Sequence, residues 1–179
     1  MFYISEIQKT APAEFRTPLQ ELVYTTLQEM QVPFERVDTD EAITMEDCIL
    51  INEKLNVQIV KTLFLCNRQQ THFYLFVTTA DKPFVTKDFS SAVGIPRVSF
   101  ASVELLNKLL GTPVGGATIF GILLDKENKV QVLIDKDVLN EEWYGCSDGT
   151  PKGYMKISRD WILNDFLRHT HHTPTFIQV

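Results

Sequence analysis

A lysine on an apolar strand, a paired-glycine loop and a cysteine-containing turn are the parts of this chain whose residue types could do chemistry. Lys61 stands in Gln58-Ile-Val-Lys-Thr-Leu-Phe-Leu-Cys66. This run is rich in β-branched and apolar residues and is bounded by polar clusters, which predicts a buried strand. Alternation of side chains puts Lys61 on one face with Ile59, Leu63 and Leu65. An ammonium on such a face needs a partner, or water at the mouth of a cleft. The plain alternative is a lysine near a strand end that snorkels to water or guards an edge.

The second stretch, Thr112-Pro-Val-Gly-Gly-Ala-Thr118, joins a helix to a strand. Gly115 and Gly116 let the backbone approach a ligand or aim N–H groups at an oxygen; they could equally form a tight connection. No Gly-Lys-Ser/Thr follows, so this is not a P-loop. The third, Tyr144-Gly-Cys-Ser-Asp-Gly-Thr-Pro-Lys-Gly153, is the longest turn-rich segment. Cys146 could be a nucleophile there if a histidine activated it, and His72 is one candidate; the alternative is a loop without chemistry. His169-Thr-His-His172 invites a metal but lacks carboxylate or cysteine ligands at metal spacing, so it reads as a solvated tail. No Gly-x-Ser-x-Gly elbow supports a serine triad.

The elements that must hold these residues are legible from their punctuation. Thr17-Pro18 caps a helix whose stripe is Leu19, Leu22, Val23, Thr26, Leu27 and Met30. Val32-Pro33 ends it, and Phe34–Asp38 reads as a strand. Thr44-Met-Glu-Asp47 resembles a capping box and opens a helix to about Leu55. The Lys61 strand, a turn at Asn67–Thr71 and the strand His72–Thr78 form an antiparallel hairpin. Helices follow from Thr86, closed by Gly94, and over Ser102–Leu110, closed by Gly111. Thr118–Leu124 and Lys129–Ile134 read as a second hairpin, and Ser158 opens a last helix through Leu167. The pattern predicts a single α+β domain with a mixed, largely antiparallel sheet.

Composition bounds the function. With 179 residues, 44% hydrophobic and 22% charged, the chain reads as one ordinary soluble domain. Its apolar runs are far below a membrane span, and the N-terminus lacks a secretory pattern. Three widely spaced cysteines fit a reduced, cytoplasmic setting. A net charge of -6 argues against a surface that coats DNA or RNA. A small pocket for one end of an RNA stays compatible with it, with weak affinity unless a partner helps.

Taken together, these words resemble the YbaK/ProX family of trans-editing aminoacyl-tRNA deacylases, nearest the branch that removes alanine from mischarged prolyl tRNA. The matching words are Val37-Asp-Thr-Asp-Glu-Ala, Thr44-Met-Glu-Asp-Cys48, Lys61-Thr-Leu-Phe-Leu-Cys-Asn-Arg68 and Phe73-Tyr-Leu. Asp81-Lys-Pro-Phe, Thr86-Lys-Asp, Arg97-Val-Ser-Phe-Ala101, Leu109-Leu-Gly111, Gly115–Gly121, Val132-Leu-Ile-Asp-Lys-Asp137 and His172-Thr-Pro-Thr175 continue the set. The resemblance covers about residue 18 to the C-terminus. It implies a pocket between the sheet and its helices, Lys61 as the essential lysine, and a Gly115-Gly116 loop whose N–H groups face the ester. Thr118, Cys146, Ser147 and Asp148 join that pocket as substrate-binding candidates. It further implies neither metal nor other cofactor, a terminal ribose hydroxyl that helps activate water, the 3′ end of an aminoacyl-tRNA as partner, and prolyl-tRNA synthetase as a possible second one.

The chain departs from the family pattern at three places. Ser147-Asp148 stands where a His-Pro pair is usual, Val114-Gly115 replaces Pro-Gly, and Pro151-Lys152 occupies the region of a common asparagine. Two readings of different classes follow: a deacylase of mischarged tRNA, or an editing-fold protein that binds an aminoacyl-tRNA, an amino acid or a protein without turnover. A thiol enzyme using Cys146 is the third.

Overall fold

Local signals start the fold as read. In the computed structural model, which describes residues 1–179, Thr17 caps α1 (Pro18–Glu29) by accepting a hydrogen bond from the Gln20 N–H. Thr44 and Asp47 form a reciprocal capping box on α2 (Met45–Leu55), a device worth about 1 kcal/mol. The helices α3 (Thr86–Val93) and α4 (Val103–Leu110) end at Gly94 and Gly111, both in the left-handed conformation that glycine adopts without penalty. Trp161–Phe166 is a π-helix that runs into one α-turn, α5 (Leu167–His169).

Eight strands complete the chain: β1 (Phe34–Asp38), β2 (Lys61–Asn67), β3 (Phe73–Thr78), β4 (Val98–Phe100), β5 (Val130–Asp135), β6 (Trp143–Ser147), β7 (Gly153–Ser158) and β8 (Thr175–Ile177). They form a sheet of order β4-β2-β3-β5-β8 and a second of order β1-β7-β6. The expected β2–β3 hairpin is present, with Lys61 opposite Thr78. The β3–β5 and β5–β8 pairs are parallel, so the larger sheet is mixed. Alternation sorts its side chains. Phe64, Cys66, Leu75, Val77, Val132 and Ile134 join the main core with α1 and α4, while Leu65, Tyr74, Phe76 and Leu133 meet Phe89 of α3 on the other face.

Three expectations are corrected. Ile119–Leu124 is a 3₁₀ helix, not a strand. Ile119, Phe120, Ile122 and Leu123 are all buried in the main core, so this run carries no alternation to distinguish strand from helix. The segment 144–153 is less a loop than the ends of β6 and β7 around a tight turn, with Cys146 and Ser147 in ladder positions. The C-terminal histidines are not all tail: His172 is 5% exposed, and its Nε2 lies 2.8 Å from the Asp125 carboxylate.

The two sheets meet at a seam. Ile59 forms a parallel bridge with Gly145, and the Val60 N–H donates to the Gly145 carbonyl. A side chain at residue 145 would strike the Gln58 carbonyl oxygen and Val57, so this approach requires glycine. Two residues beyond the bridge on each strand stand Lys61 and Ser147, which sets the functional candidates at the junction.

Candidate active site

Lys61 is half-buried at the first position of β2. Its Nζ donates to the main-chain carbonyl of Lys82, in the segment between β3 and α3. The ammonium therefore has its partner, as an apolar strand face demands. An ammonium carries three N–H donors, so two remain for other acceptors.

The glycine loop leaves α4 and turns back at Gly115, whose φ is +87°. The Gly116 N–H is taken by the Pro113 carbonyl at 3.1 Å. The Gly115 and Ala117 N–H groups make no hydrogen bond within the chain. Gly115 is exposed and Ala117 half-buried. These two, rather than Gly116, are the loop's available donors. Thr118 is fully buried; its Oγ1 caps the 3₁₀ helix by accepting from Phe120.

The loop rests on the β6–β7 turn. Ser147 Oγ donates to the Thr150 carbonyl at 2.9 Å, sits 3.3 Å from the Gly116 carbonyl, and accepts from the Gly149 N–H at 3.0 Å. An added Cβ at Gly116 would press on the Gly149 carbonyl oxygen at 3.3 Å. Asp148 is 1% exposed and accepts from Tyr24 OH (2.8 Å), Gln20 Nε2 (3.0 Å), Thr150 Oγ1 (2.9 Å) and Thr150 N–H (3.2 Å). No ammonium or guanidinium pairs with this carboxylate. Hydrogen bonds from polar groups offset its burial instead. Burial first, and the Asp148 charge second, hold the Tyr24 hydroxyl well above its ordinary pKa, so it stays a donor.

Cys146 is buried beside Thr118. Burial raises its thiol pKa well above the ordinary value, against a smaller opposing hydrogen bond with Thr118. That is the reverse of what a thiolate nucleophile needs. His72 sits with Asn67 and Thr71 at the end of the β2–β3 hairpin remote from Lys61, roughly 20 Å away along β2 at the usual strand rise. It does not approach Cys146.

The structure thus joins Gly116, Ser147 and Asp148 in one hydrogen-bonded unit, leaves Gly115 without a hydrogen bond at the turn of the loop, sets Cys146 beside Thr118, and keeps Lys61 at the seam, bonded to Lys82 rather than to that unit. Sequence reasoning missed Gln20 and Tyr24. Both lie on the inward face of α1, one turn apart, and the signal was a Gln set between Leu19 and Val23 on the buried face.

The model of the aminoacyl-tRNA editing domain matches residues 39–162. The chain belongs to this family. A prolyl-tRNA editing protein, ProX, from Acetoanaerobium sticklandii is 29% identical to this editing domain over 124 residues, spanning 67% of this chain and 73% of the relative. Among solved structures, a candidate trans-editing enzyme for prolyl-tRNA synthetase superposes with TM-score 0.64 at 17% identity, covering 92% of this chain and 99% of the other. A protein used as a scaffold for computational epitope grafting gives TM-score 0.65 at 18% identity over 91% and 98% of the two chains. At such identities these likenesses establish the fold. No helix of this editing domain is long and apolar enough to cross a membrane.

Proposed function

We propose that this editing domain hydrolyses, in trans, the ester of a mischarged aminoacyl-tRNA, with alanine on the proline tRNA as its substrate. The observation that carries the reading is the pair of unused N–H donors at Gly115 and Ala117 in an accessible loop whose Gly116 carbonyl meets Ser147 Oγ of the Asp148 turn at 3.3 Å. Donors fixed before the reaction stabilise charge as it develops on a carbonyl oxygen. An aminoacyl ester is already activated, so orientation and such donors supply much of the catalysis.

In this reading the 3′ end of the tRNA enters at the seam and Lys61 contacts a phosphate or carbonyl oxygen there. The vicinal ribose hydroxyl assists a water, whose oxygen adds to the ester carbon. The C–O bond to the ribose breaks, the ribose oxygen takes the proton, and the amino acid leaves as its carboxylate. No protein nucleophile is used, since the one cysteine in the unit is buried and held as a thiol. No metal takes part. Discrimination against proline rests on pocket size, where one methylene is worth roughly 1–3 kcal/mol.

The net charge of -6 makes affinity for tRNA weak and salt-sensitive, so prolyl-tRNA synthetase is the partner that would deliver the substrate, in the cytoplasm. The test is incubation with a panel of mischarged tRNAs at low salt, with and without a chelator. Release of alanine from the proline tRNA at equal rates in both is the expected result. A second reading, a binder without turnover, is favoured by Ser147 and Asp148, whose polar atoms are occupied inside the turn. Binding of charged tRNA without release of any amino acid would establish it.

A further inference from the structure

One buried carboxylate bonds both residues that neighbour Lys61 on its far side. Asp135 is fully buried at the end of β5. Its Oδ2 accepts from Thr78 Oγ1 at 2.6 Å and from Lys82 Nζ at 2.7 Å, and its Oδ1 accepts from the Asp137 N–H at 3.1 Å. Thr78 is the residue opposite Lys61 across the β2–β3 ladder. Lys82 supplies the carbonyl that accepts the Lys61 ammonium. Asp135 therefore fixes both the strand position beside Lys61 and the tether of its side chain.

The tether itself is anchored on both flanks. On one, Lys82 Nζ also meets Asp137 Oδ2 at 2.7 Å and the Val179 carbonyl at 2.9 Å. On the other, the Phe84 ring packs against Phe76, Phe89 and Phe100, with centroids 5.5–6.0 Å apart. The Lys82 N–H closes the turn onto the Thr79 carbonyl. A carbonyl restrained in this way is a fixed acceptor. A lysine held on it loses the rotamer freedom that would blur its reach.

We propose that Lys82 and Asp135 are positioning residues for Lys61, so that the ion pair on one side of the sheet sets where that ammonium points. The inference rests on the deacylase reading for its kinetic consequence and on geometry alone for its structural one. Two readouts separate them. In protein carrying ¹³C-labelled lysine, with the Lys61 signal assigned through Lys61→Arg, the wild-type Lys61 side chain will give a resonance distinct from those of exposed lysines. Lys82→Met will move that resonance to the exposed position, and Lys82→Arg will restore most of the shift. An unmoved Lys61 resonance in folded Lys82→Met overturns the proposal.

In deacylation, Lys82→Met will lower kcat about 10- to 100-fold, the scale of a small misplacement at a reacting centre, with KM within about twofold. Lys82→Arg will recover most of that loss. Equal kcat in Lys82→Met and wild type also overturns it. Loss of Lys82 leaves Asp135 buried without its cation, which can prevent folding. In that event Thr78→Val, which removes one hydroxyl and keeps the ion pair, takes its place and will shift the Lys61 resonance in the same direction; no shift in it counts against the proposal. A wild type inactive on every mischarged tRNA refutes the deacylase reading, and the resonance then decides the positioning role by itself.

Discussion

Restoring the family's His-Pro pair will unfold this protein rather than improve it. The perturbation is the double variant Ser147→His, Asp148→Pro. Asp148 is the acceptor for Tyr24 OH and Gln20 Nε2, both on residues at most 1% exposed. Its removal orphans two buried donors, at about 1–3 kcal/mol each. Proline also deletes the Asp148 N–H bond to the Gly153 carbonyl at 3.0 Å, a further ~1 kcal/mol. The Ser147 side chain is buried in bonds to the turn and the glycine loop, and an imidazole there overpacks it by about 1–3 kcal/mol. The sum, about 4–10 kcal/mol, approaches the whole stability of a typical domain, about 5–15 kcal/mol. Urea denaturation followed by circular dichroism measures it, with Ser147→Ala as the milder control. A double variant within about 1 kcal/mol of wild type would refute the reasoning, because the Asp148 network would then contribute nothing.

Other outcomes are as specific. Gly115→Ala places a Cβ at φ +87°, a left-handed strain of about 1–2 kcal/mol; thermal unfolding will show the loss, and deacylation will fall further than stability alone explains. Cys146→Ser will keep deacylation within a few-fold of wild type, and iodoacetamide will label the exposed Cys48 well before Cys146 in the native protein; a dead Cys146→Ser that folds would revive the thiol mechanism. Hydrogen bonds from the Thr44 and then the Ile43 N–H hold the Asp47 carboxyl below its ordinary value, and Lys82, then Gln178, do so for Asp137. Depressed carboxyl values stabilise the fold above the unfolded pKa, near 4, and that contribution is lost as pH falls through the folded values. The urea midpoint will therefore drop below about pH 4, and Asp47→Asn will make that drop shallower; a midpoint flat from pH 5 to 3 would contradict it.

The sequence was most legible where the deciding interaction is local. Thr17, the Thr44–Asp47 box, Gly94 and Gly111 each act within four residues of themselves, and each helix end falls where these residues point. The Lys61 strand and its hairpin were readable because the turn and both apolar runs are contiguous. The failures are non-local. Ile119–Leu124 becomes helical because α1 and α4 enclose it, which nothing in its own composition records. The β6–β7 pair hides behind turn residues, since glycine at 145 serves a contact with residues 57–59 far away in the chain. His172 looked like tail because its partner Asp125 lies 47 positions upstream. In the site, Gly115 and the Ser147-Asp148 turn were found as words, but the assignment of free donors to Gly115 and Ala117 needed coordinates. So did the tether of Lys61 on Lys82.

The role proposed for Lys61 is to serve ester hydrolysis at the seam. The direct measurement is single-turnover release of labelled alanine from mischarged proline tRNA by wild type and by Lys61→Ala, with unfolding midpoints recorded for both. A half-buried lysine tethered by one carbonyl contributes little packing, so the midpoints will be similar and the Lys61→Ala rate at least about 100-fold lower, the scale of removing one electrostatic donor at a reacting oxygen. Equal rates in the two proteins would contradict it.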